Sequence, residues 1–395
     1  LAAGNQAGVL AACDALLATQ PRLAPLCQRY RANALAALGR DAELETLLQA
    51  IIDERPLPWA LVMLAGHLLE RGHLDRAEAL YEEGISQFPM LPTLYDGLAR
   101  AKQLRGEQLK AQVFLEQAVK ISPNNPQRQA ELGRLARANQ DPDRAVRAFR
   151  QAVNLGRHSA FRDPEHHLSL ADSLCAQAGD SAPGPKVLLE IRQTMDDLNN
   201  SWRDNDALAA RGELLQATAL QRAGKTADAT QMAKNAAERL ANMEDFFAAD
   251  TALQVAAQLR ALGQEAQADQ VLSSCAEIYG DDPKVMAGIA EQTSDPDILR
   301  GGDQAMELNR QGMQLYQGKQ FPQALEAFRN ALALQPRNIS YALNTAQSLL
   351  RLLLSAPDPA LREECLDCLQ RVRNMPPGDP RFERYNKLRE KAESL

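Results

Sequence analysis

Apolar residues along this chain recur at helical spacing, and the recurrence itself repeats. Ala77, Ala111 and Ala145 stand 34 residues apart, as do Leu64, Leu98 and Leu132, the small residues Ala65, Ala99 and Gly133, and the bulky residues Tyr81, Leu115 and Phe149. Four columns in register predict one structural unit used several times. The stretch LAGHLLERGHLDRAEALYEEGISQFP shows how a unit is built: an apolar helical stripe, a break at Gly72, a second helix carrying Ala77 and Tyr81, then Pro89. Each unit therefore predicts a helical hairpin. Small residues let its two helices approach closely, and the bulky residue fills the space beside the neighbouring hairpin.

This pattern resembles the tetratricopeptide repeat from about residue 25 to 159. It continues less regularly around Gly224 and Ala229, Gly263 and Ala268, and Gly312, Phe321, Ala324, Phe328, Ala331 and Pro336. Trp59 lies near the start of its hairpin, and the other units lack a Trp there. The resemblance implies an all-α fold, a right-handed α-α superhelical solenoid of about nine tetratricopeptide-like hairpins. The polar stretch DPRFERYNKLREKAESL is expected to be its C-terminal capping helix. The opening GNQAGVLAACDALLATQP reads as the second helix of a hairpin begun earlier, and Leu1 is not an initiator methionine, so a preceding segment is expected. Breaks at GDSAPGPK (179–186), NNSWRDND (199–206) and 281–304 suggest four parts. These are an N-terminal block 1–178, a degenerate middle block 179–280, a hinge or degenerate hairpin at 281–304 around Gly301 and Gly302, and a C-terminal block 305–395. SAPDPA (355–360) reads as a loop inside the last hairpin.

Composition narrows the function classes. The 395 residues include 44 Lys or Arg and 51 Asp or Glu, a formal net charge of -7, which argues against a nucleic-acid partner. Apolar content is 45 % but aromatic content only 5 %, with few β-branched runs, as helices favour. With no long apolar run and no leader pattern, no membrane association is expected and the anticipated location is cytoplasmic. Six cysteines are too sparse for a disulfide framework, and Cys365 and Cys368 are expected to pack rather than to bind metal or cycle redox states.

Enzyme signatures fail one by one. Gly179 and Gly184 have phosphate-loop spacing, but Pro185 stands where the lysine belongs. His158, His166 and His167 cluster with Asp163 and Glu165, a set of metal-ligating types. The favoured reading is that Asp163 and Pro164 open a helix and the histidines sit on its surface. No catalytic residue, cofactor or metal is assigned, so the chain is expected not to be an enzyme. A hairpin array supplies a binding groove lined by first helices. The candidate groove residues are Tyr95, Asp96, Arg100 and Gln103, then Arg134 and Arg137, and in the last full hairpin Asn309, Met313 and Tyr316. Arg100 and Arg134 lie one repeat apart and are expected to stack, which suits an acidic segment of a protein partner; solvated surface arginines are the alternative. The softer Met313 wall suits a helix or a second copy in a homodimer. The Lys and Asn arrangement with which some arrays clamp a chaperone C-terminus is not found.

Three stretches, RPLPWALVMLAGHLLERG (55–72), NLGRHSAFRDPEHHLSLADSL (154–174) and NISYALNTAQSLLRLLLSAPDP (338–359), resemble the tetratricopeptide output region of bacterial two-component response-regulator proteins. That resemblance implies a phosphoacceptor receiver domain ahead of the array. It also implies signalling through contact with a sensor kinase, another response regulator or a second copy. The alternative is a scaffold in another bacterial assembly, such as pilus or envelope biogenesis.

Overall fold

The computed structural model describes residues 5–394 apart from 21, 23, 158, 180, 204, 242–246 and 301. Among the described residues the regular structure is helical, with no strand. Two compact units divide the chain. Unit one, Leu1–Gln177, holds α1 (Gln6–Thr19), α2 (Ala24–Ala37), α3 (Asp41–Glu54), α4 (Pro58–Glu70), α5 (Leu74–Gln87), α6 (Pro92–Leu104), α7 (Gln108–Ile121), α8 (Pro126–Ala138), α9 (Pro142–Gly156) and α10 (Pro164–Gln177). Unit two, Ala178–Leu395, holds α11 (Pro185–Ser201), α12 (Asp206–Arg222), α13 (Thr226–Ala241), α14 (Ala249–Ala261), α15 (Glu265–Tyr279) and α16 (Pro283–Ala290). It continues through α17 (Pro296–Arg300), α18 (Asp303–Gln317), α19 (Phe321–Leu334), α20 (Ile339–Leu353), α21 (Pro359–Arg371) and α22 (Phe382–Ser394).

Local chemistry explains where these helices start and stop. Pro58, Pro92 and Pro126 open α4, α6 and α8 at one fixed repeat position, where a missing N–H costs nothing. Asn125, Asp141, Asn205 and Asn338 cap the following helices by accepting a backbone N–H. Between the two helices of a hairpin the chain passes through one left-handed residue, as at Gly72 (φ 78°), and the last turn closes with His73 N–H donating to Leu68 O at 2.9 Å. Gln140 (φ 58°) and Lys319 (φ 61°) occupy the same turn position without being glycine. Either one replaced by Gly is expected to gain about 0.5–1 kcal/mol, because relief of the left-handed strain outweighs the added unfolded-state entropy. Thermal unfolding of Gln140→Gly checks this; a lower melting temperature would reject it.

Packing follows the repeat columns. Consecutive helices pack as pairs, α4 on α5, α6 on α7, α8 on α9, and in unit two α12 on α13, α14 on α15, α18 on α19 and α20 on α21. Ala77, Ala111 and Ala145 are buried, with Tyr81, Leu115 and Phe149 beside them. A Cβ on Gly133 would lie 2.8 Å from the Phe149 ring, and one on Gly312 would lie 2.6 Å from Phe328, so the bulky residue occupies the space the glycine leaves.

The expected interruptions at 199–206 and 281–304 are partly helical. Residues 199–201 belong to the end of α11, so the break expected at 199–206 shrinks to the turn before Asn205, the cap of α12. Helical propensity over 185–201 continues through the polar pair Asn199 and Asn200 because Thr194, Met195 and Leu198 are buried beneath it. Segment 281–304 carries two short helices, and Val285, Ile289 and Ile298 join one core with residues of α12, α15, α20 and α22. Gly301, one of the two glycines of that segment, lies outside the described residues.

Candidate functional site

In unit one the first helices α6, α8 and α10 bring the expected groove residues onto one wall, tied together by bonds between hairpins. Asp96 accepts two bonds from Arg128, from Nε and Nη2, both at 2.7 Å. Arg128 is only 8 % exposed and also donates to Ser122 O at 3.3 Å. Gln103 Nε2 donates to Glu131 Oε1 at 3.0 Å, Arg134 Nη1 meets Glu131 Oε2 at 2.6 Å, and Arg137 Nη1 meets Asp172 Oδ2 on α10 at 2.8 Å. Tyr95 is half-buried and its hydroxyl donates to Pro89 O at 3.1 Å.

This bonding alters the electrostatics expected from sequence. Arg100 and Arg134 were expected to form a row of like charges, but Glu131 beside Arg134 neutralises it. Asp96, Gln103 and Arg137 are stitches between hairpins. Arg100 alone among these groove residues is an exposed cation in no ion pair. It lies near Tyr81, whose phenol burial pushes up to about 12 while the Arg100 charge pulls it back.

A correction concerns the histidines of α10. His166 and His167 are 3 % and 2 % exposed, not surface groups, because the apolar stripe of α10 turns that face inward; His158 lies outside the described residues. Asp163 does act as the expected cap, accepting from Glu165 N–H at 2.9 Å. Burial holds His166 below its ordinary value of 6.5, against the opposing pull of Asp163 with its Oδ2 at 3.8 Å from Nε2. The folded state thus favours the neutral ring. Stability from this group is full above the unfolded value of 6.5 and is lost as pH falls through the lower folded value. Urea unfolding followed at about pH 7.5 and about pH 5 should show the loss, and His166→Gln should shrink it. An unchanged difference in the variant would exclude His166 as its source.

In unit two the wall of α18, α20 and α22 has different chemistry. Asn309 is 7 % exposed, so it is not the open groove residue expected; packing of α20 against it covers the side chain. Met313 remains 46 % exposed. Tyr316 stacks edge-on against Phe321 at 5.1 Å. A chain of amides runs between the helices: Asn344 Nδ2 donates to Asn309 Oδ1 at 2.8 Å, and Gln347 Nε2 donates to the Tyr316 hydroxyl at 3.3 Å. Arg384 Nη2 then donates to Asn344 Oδ1 at 2.8 Å and to Gln347 Oε1 at 2.6 Å. No carboxylate pairs with this guanidinium among the described residues, and burial pushes it below the ordinary arginine range. Its neighbour Arg381 is committed to Asp379 at 2.8 Å and to Ser340 Oγ at 3.0 Å. Asn344 and Gln347 on α20 and Arg384 on α22 were not among the expected groove residues, because the bonds that join them span 40 and 37 residues of sequence. The signal was there in Asn309 and Asn344, which stand about one repeat apart.

Cys365 and Cys368 are buried, and burial pushes their thiols up to about 11 and about 12. Among the described residues no group of three or more His, Cys, Asp or Glu is arranged to hold a metal. No described helix is long and apolar enough to cross a membrane.

Paired helices with a small residue against a bulky one, a left-handed turn between them and walls of first-helix side chains define a hairpin-repeat fold of the tetratricopeptide type. No protein-family model and no curated protein matches the chain. Among solved structures it is similar to a tetratricopeptide repeat protein from Parabacteroides merdae, at 15 % identity over 67 % of this chain and 96 % of that one, with a TM-score of 0.45. It is similar to the C-terminal part of a TPR repeat-containing protein from Cytophaga hutchinsonii, at 14 % identity over 59 % and 89 % of the two chains, TM-score 0.48. It is also similar to YrrB, a TPR protein with an unusual peptide-binding site, at 16 % identity over 49 % and 93 %, TM-score 0.41. These likenesses concern the fold alone.

Proposed function

We propose that the chain is a non-enzymatic protein-interaction scaffold whose first-helix walls take acidic segments of partner proteins. One observation carries this reading: Arg384 is a partly buried guanidinium that, among the described residues, is held by the amide oxygens of Asn344 and Gln347 and by no carboxylate. A cation removed from water without a counter-charge gains strongly when an anion reaches it. The exposed thioether of Met313 on the same wall offers an adaptable surface for an apolar neighbour of that anion. In unit one, Arg100 is the corresponding uncommitted cation, and Arg134 can exchange its exposed partner Glu131 at little cost.

The finer part of the proposal is that this scaffold is the output module of a two-component response regulator, contacting a sensor kinase, another regulator or a second copy in the cytoplasm. Its support is the resemblance of residues 55–72, 154–174 and 338–359 to such output regions. Equal partner binding by phosphorylated and unphosphorylated receiver-linked protein would reject that part.

The binding claim is tested by fluorescence anisotropy with the acidic probe peptide Leu-Asp-Glu-Leu-Glu. Arg384→Gln should weaken it by about tenfold. Arg100→Ala combined with Arg134→Ala should weaken it by about threefold, since exposed charges are screened. Unchanged affinity in both variants would remove both walls from the binding surface.

A further inference from the structure

A recess lies in unit two where the repeat is incomplete. A full second helix such as α19 has 14 residues, whereas α17 has 5. At 1.5 Å per residue the missing turns leave a gap of roughly 13 Å along the helix axis. A cavity of about 650 Å³ lies here, bounded by α15, α16, α17, the start of α18 and the end of α19. Its apolar lining includes Met286, Ile298, Met306 and Leu334, and Met306 and Leu334 are 46 % and 49 % exposed.

Two independent observations say what this cavity suits. The first is charge: Glu277, Asp281, Asp297 and Asp303 line it, and among the described lining residues there is no Lys or Arg. Asp281 is partly satisfied, with Asn338 Nδ2 at 3.4 Å and Arg381 Nη1 at 3.7 Å, and Glu277 Oε1 accepts Arg337 N–H at 3.3 Å. Asp297 and Asp303 are exposed and in no ion pair. The second is a missing donor. Gln335, 8 % exposed, lines the same cavity, and its buried Oε1 has no hydrogen-bond partner among the described residues. Gly302 makes room for that amide, since a Cβ there would lie 2.8 Å from Gln335 Nε2. A buried acceptor left unpaired costs about 1–3 kcal/mol, and a donor-bearing occupant removes that cost.

We propose that this cavity is a binding site for an arginine side chain carried, between apolar residues, on a protein partner. Guanidinium has five N–H donors in a plane and no acceptor, which matches an amide oxygen and carboxylates spread around one recess better than a compact ammonium does. The exposed Met306 and Leu334 beside the cavity receive the apolar flanks. The site goes beyond the acidic-segment reading of the first-helix walls and stands without it, because its ligand has the opposite charge.

The test is titration calorimetry on the full chain with the probe peptide acetyl-Leu-Arg-Leu-Arg-Leu-amide, its citrulline isostere, and agmatine. The arginine peptide should bind, and the citrulline peptide should bind at least about tenfold more weakly. Asp297→Asn with Asp303→Asn, two exposed changes that leave the core intact, should weaken the arginine peptide by about threefold, since exposed charges are screened, while Arg384→Gln leaves it unchanged. Hydrogen exchange should slow across 276–306 on binding. Absence of binding at millimolar peptide, equal affinity for the citrulline peptide, indifference to the double variant, or exchange protection elsewhere would each overturn the proposal. Agmatine binding as tightly as the peptide would overturn the assignment to a protein partner.

Discussion

Gly133→Leu should destabilise unit one by about 2–3 kcal/mol, seen as a lower urea midpoint for its cooperative transition. Two terms compete at this position. Leucine has a better helix propensity than glycine by about 0.8 kcal/mol, which favours the variant. Against it, the added side chain begins with a Cβ at 2.8 Å from both Cε2 and Cζ of Phe149, a ring with 0 % exposure and no free space to enter. Overpacking of a closed site exceeds the propensity gain, so the sign is set by steric exclusion. A variant as stable as the parent would mean that the hairpin opens there at no cost.

Asp96→Ala carries the second large effect, a loss of about 2 kcal/mol, and it separates architecture from binding. The substitution leaves the Arg128 guanidinium, whose side chain is 7 % exposed, with Ser122 O at 3.3 Å as its remaining acceptor. Stranding a fully buried charge costs about 3–5 kcal/mol, and the figure here is lower because the Asp96 side chain is 34 % exposed and water can reach the gap. Replacing Asp96 and Arg128 together by Ala and Met should recover most of the loss, since an apolar pair leaves no orphan charge. If Asp96→Ala instead leaves stability intact and weakens the acidic peptide alone, Asp96 belongs to the binding surface and not to the frame.

The repeat frame was readable from residue types because its determinants are local: a small residue and a bulky one at fixed spacing, a glycine where the backbone turns left-handed, and a proline at a helix start. The proline at the head of α4, α6 and α8 recurs every 34 residues, as periodic as the alanine columns. Partnerships between hairpins were not readable. Arg128 looks like any polar residue of α8, and only the fold places it against Asp96, 32 residues earlier. The same holds for Arg384, whose neighbours Asn344 and Gln347 lie 40 and 37 residues before it. Burial of His166 and His167 was missed because three polar residues in a row suggest solvent, while the flanking Leu168, Leu170 and Ala171 turn that face into the core. The cavity beside α17 arises from a helix that is too short, and a gap has no residue to announce it.

Steric exchange between Gly133 of α8 and Phe149 of α9 holds that hairpin together, and a double-mutant cycle on Gly133→Leu and Phe149→Ala measures it directly. Phe149→Ala alone should cost about 3–5 kcal/mol through the cavity it leaves. In the double variant the new leucine fills that cavity, so the combined loss should fall short of the sum of the single losses by at least about 2 kcal/mol. Losses that add to within about 0.5 kcal/mol would show that the two positions do not share one space, and would contradict the hairpin packing on which both proposed binding surfaces are built.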